Sequence, residues 1–182
     1  MHAVITVDTV AQEVNSDGDC SLQEAIFAAN FDASQAIDPA NPSGPKIATG
    51  CTAGSGADTI VLAAGAVYTL SSVVADPFSP AGMSGTPAVT GTLTIQGNGA
   101  RLERVGDEQI RAFVVNRQVG MESSHASGDL TIENRHIQGF PAKGGNGAGG
   151  GGGGLGAGGA IYVRNGGLTV VNSSFDDNTA TG

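Results

Sequence analysis

Apolar and polar residues alternate with a period of two in a short pattern that occurs three times. The copies are Leu93-Thr94-Ile95-Gln96-Gly97, Leu130-Thr131-Ile132-Glu133-Asn134 and Leu168-Thr169-Val170-Val171-Asn172. They begin at positions 93, 130 and 168, so 37 and 38 residues separate them. Each copy puts two large apolar residues on one side of an extended chain, with a Thr between them facing the other way. A strand with one buried face needs neighbours, and stacked copies bury a continuous core. Further strand-like runs lie between the copies, at 100–105, 112–116, 136–140, 160–164 and 173–178. Three short strands per repeat, joined by turns, predict one coil of a solenoid, hence an all-β parallel β-helix.

Upstream the pattern changes. Val4-Ile5-Thr6-Val7 alternates and is β-branched, which predicts a strand. Ser21-Leu22-Gln23-Glu24 is a capping box: the Ser21 hydroxyl can take the amide three residues on, and Glu24 can reach back. Leu22, Ala25, Ile26 and Ala29 follow at helical spacing and predict a short helix over 21–30 with one apolar stripe. Such a helix would cap the first rung of a solenoid and hide its open strand edge. Positions 31–57, with Pro39, Pro42 and Pro45, read as loop. The expected organisation is an N-terminal cap at 1–57 and a parallel β-helix at 58–182. The low-complexity tract 143–159 reads as a flexible glycine-rich loop, or else as extended glycine chains packed on each other or on a partner.

Composition narrows the function. Thirty Gly and few aromatics would indicate disorder if evenly spread, but regular alternation survives between the Gly clusters. A net charge of −9 with eight basic residues argues against nucleic acid and anionic membranes as partners. No apolar run approaches the roughly 20 residues of a membrane helix. No signal peptide is visible at the first residues, which is expected either of a chain whose leader was replaced by a start Met or of a piece of a larger protein. Cys20 and Cys51 are the only cysteines, an even number compatible with one disulfide.

The run Asp17-Gly18-Asp19-Cys20-Ser21-Leu22-Gln23-Glu24-Ala25-Ile26, followed by Ala29-Asn30, resembles the signature of the bacterial CSLREA domain, with Gln23 where that motif has Arg. Cys51 and 58–62 fall where such proteins place a second Cys and the first strand. Gly158-Gly159-Ala160-Ile161 and Phe175-Asp176-Asp177-Asn178 resemble the GGA(I/L/V) and FxxN repeats of polymorphic outer-membrane proteins. The resemblance implies a large, secreted or surface-displayed right-handed β-helix, commonly adhesin-like, of which this chain would be an N-terminal part. In an exported chain, Cys20 and Cys51 are expected to be bridged. Gly158 and Gly159 would allow a tight entry to the next strand. Asn134, Asn172 and Asn178 would sit at strand ends, where Asn tolerates left-handed turns and can form stacked ladders.

Catalytic chemistry finds little support in the residues. Asp176-Asp177 is the best carboxylate pair, but adjacent strand residues face opposite ways. Glu133, Arg135 and His136 read as a solvated strand face. His2, His125 and His136 are isolated, and Asp17 and Asp19 around Gly18 only faintly resemble a calcium loop, so no metal and no cofactor is expected. Thr94, Thr131 and Thr169 form one outward column without the second column that a flat ice-binding face needs. The expectation is therefore a non-enzymatic structural or adhesin-like protein at the bacterial cell surface or outside the cell, with a host or cell-surface ligand as partner. The alternatives are a filament subunit that pairs with itself head to tail, and a polysaccharide-cleaving enzyme on the same scaffold. An exposed C-terminal rung, completed by further chain or by strand Val4–Val7 of another copy, belongs to the filament reading.

Overall fold

A computed structural model of the chain describes residues 2–77, 82–116, 128–144 and 156–182. Its centre is a seven-stranded sheet in which every pairing is parallel. The backbone of the sheet runs through β1 (Val4–Thr6), β4 (Asp58–Val61), β6 (Thr92–Arg104), β8 (Asp129–Gln138) and β11 (Gly167–Val171). Strand β5 (Val67–Leu70) joins the second half of β6, and β12 (Ser174–Asp176) joins the second half of β8. Three two-stranded sheets lie apart: β7 (Phe113–Val115) with β10 (Ile161–Val163), β9 (Pro141–Lys143) with β13 (Thr179–Thr181), and β2 (Gln35–Ala36) with β3 (Ile47–Ala48).

The repeat is real in space. Leu93, Leu130 and Leu168 stand side by side, as do Ile95, Ile132 and Val170. Leu93, Ile95, Leu130 and Ile132 are buried, and the Thr column points outward beside them. The expected right-handed parallel β-helix is nevertheless corrected. The described residues form one parallel sheet with three separate strand pairs and one short helix, and no closed solenoid among them. The reason is physical. Period-two alternation and a repeat length specify which strands neighbour one another, but they say nothing of how the connections between them turn. Of the runs expected to form the second and third sides, 100–104, 136–138 and 174–176 stay in the main sheet, whereas 113–115 and 161–163 form a separate pair.

The predicted helix is α1 (Leu22–Phe31). Ser21 caps it: the Glu24 amide donates to Ser21 Oγ at 3.2 Å, and the Ser21 amide donates to Glu24 Oε2 at 2.9 Å. The Asn15 amide also donates to Glu24 Oε1 at 2.9 Å, which explains how a carboxylate tolerates complete burial here. Leu22, Ala25 and Ile26 enter the same core as Ile5, Ile60, Leu93 and Ile95. Phe27 faces a second, small core with Ala36 and Ile37, and stacks on Phe31 with ring centroids 5.7 Å apart. That second core orders part of the stretch read as loop, and β2 and β3 are its edge. Cys20 and Cys51 are joined by a disulfide, both buried, and tie the start of α1 to the far end of this excursion.

Candidate functional site on the outer face of the sheet

Three asparagines reset the strand phase. Asn98, Asn134 and Asn172 all adopt positive φ (51°, 51° and 46°). Each sits between two extended halves, so alternation restarts one residue out of step after it. In β8 the inward residues are Leu130 and Ile132 before Asn134, then Arg135 and Ile137 after it. The register between β6 and β8 shifts at the same place, between Gln96 and Ala100. Asn tolerates this left-handed region where a β-branched residue would be strained. No hydrogen bond joins the Asn134 and Asn172 side chains among the described residues, so their repetition reflects the turn rather than an amide ladder.

This shift separates residues that adjoin in sequence. Glu133 and His136 face outward, whereas Arg135 turns in and is only 3% exposed. His136 lies at the centre of an outer network spanning three strands. Its Nδ1 is 2.6 Å from Ser174 Oγ and 3.4 Å from Asp176 Oδ2, and its Nε2 is 2.8 Å from Gln138 Oε1. Arg101 Nη2 donates to the same Gln138 oxygen at 3.1 Å, and Arg101 Nε pairs with Glu103 at 2.9 Å. A shallow recess of about 440 Å³ opens beside it, lined by Gly99, Asn134, Asn172, His136, Ser174 and Arg135.

The other sequence-predicted positions are structural. Asn178 ties the chain between β12 and β13 to that between β8 and β9: its Oδ1 accepts from the Phe140 amide and its Nδ2 donates to the Ile137 carbonyl, both at 3.0 Å. Gly158 has φ +59°, and a Cβ there would lie 2.2 Å from the Ile161 carbonyl oxygen; a Cβ on Gly159 would meet the Thr179 backbone. Arg111 Nε donates to the carbonyls of Ala157 and Gly158 and so fastens this entry to the chain just before β7. Burial lowers the Arg111 pKa from its ordinary value. Positions 145–155 of the glycine tract, and His125, lie outside the described residues. Asp177 has φ 52°, so the pair Asp176-Asp177 straddles a turn, and only Asp176 reaches the His136 network. Asp17 and Asp19 do cluster, with Glu13 as a third carboxylate whose ligand atoms lie within 4.8 Å of theirs. Glu13 was missed because nothing in its local sequence marks it.

Comparison with protein-family models, curated proteins and solved structures gave no match to this chain. A buried disulfide accords with an oxidising, extracellular setting. Among the described residues no helix is long and apolar enough to cross a membrane.

Proposed function

We propose that the chain acts without catalysis, as a structural and adhesive protein at the bacterial cell surface or outside the cell, in keeping with its resemblance to CSLREA-domain and polymorphic outer-membrane proteins. The observation that carries the reading is how His136 is shared. A hydrolytic triad divides the imidazole, with the nucleophile on one nitrogen and the orienting carboxylate on the other. Here Ser174 and Asp176 both approach Nδ1, and Gln138 holds Nε2. The Gln138 oxygen that orients Nε2 also accepts from Arg101 Nη2, which makes it a weaker partner for an imidazolium than a carboxylate, and Asp176 competes with Ser174 for Nδ1. The same groups suit display, because a rigid sheet holds exposed donors and acceptors in a fixed strip for a polar host or cell-surface ligand. The test pairs two assays on purified protein: turnover of esters, peptides and acidic glycans, and retention on immobilised glycans and host cells. Retention reduced by the double variant His136→Ala/Gln138→Ala, with no turnover, is expected. Turnover abolished by Ser174→Ala would overturn the proposal.

A second reading, head-to-tail self-association, draws on the β11 edge. Leu168 and Val170 are 39% and 43% exposed although their register partners Leu130 and Ile132 are buried. A second copy laid along β11 would cover them. Light scattering on the wild type and on Leu168→Asp decides it; identical monomeric sizes would dismiss it.

A further inference from the structure

The central sheet ends on one side at β1 and on the other at β11, and every pairing between them is parallel. At the β11 end the Gly167 amide donates to the Gly128 carbonyl, so Gly167, Thr169 and Val171 turn their backbone groups toward β8. The amides and carbonyls of Leu168 and Val170 therefore point the other way, where β11 has no neighbouring strand. At the β1 end the Ala3 carbonyl accepts from the Thr59 amide and the Val7 amide donates to the Val61 carbonyl. Ala3, Ile5 and Val7 thus face β4, while Val4 and Thr6 face away from it, where β1 has no neighbour in the sheet. Both residues are exposed, Val4 by 53%. Helix α1 shares a core with Ile5, but no hydrogen bond joins it to Val4 or Thr6 among the described residues.

We infer that the two edges are made for each other: β1 of a second copy adds to β11, parallel to it, with the partner's Val4 opposite Thr169. The inference rests on the self-association reading above and names the segment that makes the contact. One outward column of the sheet already runs Val4, Thr59, Thr94, Thr131 and Thr169, each in register with the next. Seating the partner's Val4 beside Thr169 extends that column and keeps the hydrogen-bond phase of every pairing in it. The bonds follow from the pattern between β1 and β4, where the Thr59 amide donates to the residue before its register partner Val4. The partner's Val4 amide donates to the Leu168 carbonyl, and the Val170 amide donates to the partner's Val4 carbonyl. The partner's Thr6 amide then donates to the Val170 carbonyl. Inward, the column Ile5, Ile60, Ile95, Ile132 and Val170 gains the partner's Ile5, which covers a valine that is 43% exposed. A two-fold pairing of β11 with its own copy would be antiparallel, unlike any pairing in this sheet, and would leave the β1 edge open. The parallel contact is heterologous, so it propagates as an open filament unless its rotation closes a ring.

Added cysteines test the contact on the full chain, whose own two cysteines are already bridged. Val4→Cys and Thr169→Cys proteins are mixed, mildly oxidised and run on non-reducing gels. The controls are each variant alone, and Val4→Cys mixed with Val171→Cys. Strand neighbours in register lie about 4.8 Å apart, within disulfide reach, whereas a slip of two residues puts them beyond about 7 Å. The first mixture should cross-link at least about tenfold more than any control. Val4→Pro removes a donor that the single chain leaves unused, at the first residue of an edge strand, where Pro is tolerated. It should weaken association in sedimentation about tenfold with an unchanged circular dichroism spectrum. If that variant unfolds, the cross-linking alone decides. Thr169→Cys cross-linked to itself, or equal cross-linking by the slipped pair, would overturn the β1 contact and leave self-association standing. A wild type that stays monomeric at every concentration would overturn both.

Discussion

Replacing Arg135 with Met should stabilise this protein. The guanidinium is fully buried, and Nε, Nη1 and Nη2 all lack hydrogen-bond partners. Its nearest compensation is the ring of Phe113, whose centroid lies 5.6 Å from the guanidinium carbon. Burial lowers its pKa from the ordinary guanidinium value to about 10. At 1.36 kcal/mol per unit, the charged form costs about 3 kcal/mol on folding, and no solvent screening reduces this at complete burial. The contact with Phe113 returns about 1 kcal/mol or less in comparison with Met, which also packs against aromatic rings. The expected gain is therefore about 1–3 kcal/mol, measured as a shift of the urea midpoint at constant m-value. The pH dependence has a definite sign. From about pH 10 up to the ordinary guanidinium value the unfolded chain holds a proton that the folded chain has released, so wild-type stability from this group rises with pH in that window. The advantage of Met should shrink across the same range. A Met variant less stable than the wild type by more than about 1 kcal/mol would refute the reasoning, because it would mean that the cation is satisfied in the fold.

Three further outcomes are expected. Reducing the Cys20–Cys51 bridge, whose cysteines are separated by 31 positions, should lower stability by about 3–4 kcal/mol on the chain-entropy model, read from denaturation with and without reductant. Ile132→Asp puts an unpaired charge into the core and should unfold the sheet, whereas Thr131→Asp on the outer face should melt within a few degrees of the wild type by circular dichroism. Burial, with repulsion from Asp17, Glu24 and Asp19, raises the Glu13 pKa, so the folded state loses stability as pH rises through that value. Glu13→Gln should accordingly raise Tm at pH 7, with the difference gone at pH 3.

The stacking of Leu93, Leu130 and Leu168 could be read from the sequence because a two-residue period admits one inward face. So could α1, whose capping box is a local chemical signal. The fate of Arg135 could not. A strict alternation carried through 129–138 puts Glu133, Arg135 and the other odd positions on one outward face, with His136 on the inner one. The left-handed Asn134 restarts the count, and a one-residue slip exchanges the two faces. Gly97 belongs to the same event, since a Cβ there would lie 2.5 Å from that of Arg135. Asn134 and Asn172 were visible as repeated residues, but their effect on the phase was not, and Asn98 lies one place beyond that repeat position. Sheet closure was overread for a related reason. Segments such as 112–116 and 160–164 look like sides of a coil, yet β7 and β10 form a two-stranded sheet of their own, with an isolated bridge from Val115 to Val89.

The disulfide has a mechanical consequence. If the chain is pulled from its two ends, the tension passes from Cys20 directly to Cys51 and bypasses everything between them. At about 3.4 Å per extended residue, about 100 Å of contour length is withheld from the stretch. The withheld part contains α1 and the small core around Phe27, Ala36 and Ile37. The element that shields the first strands of the sheet would therefore carry no load, and could stay folded while the strands on either side are drawn out.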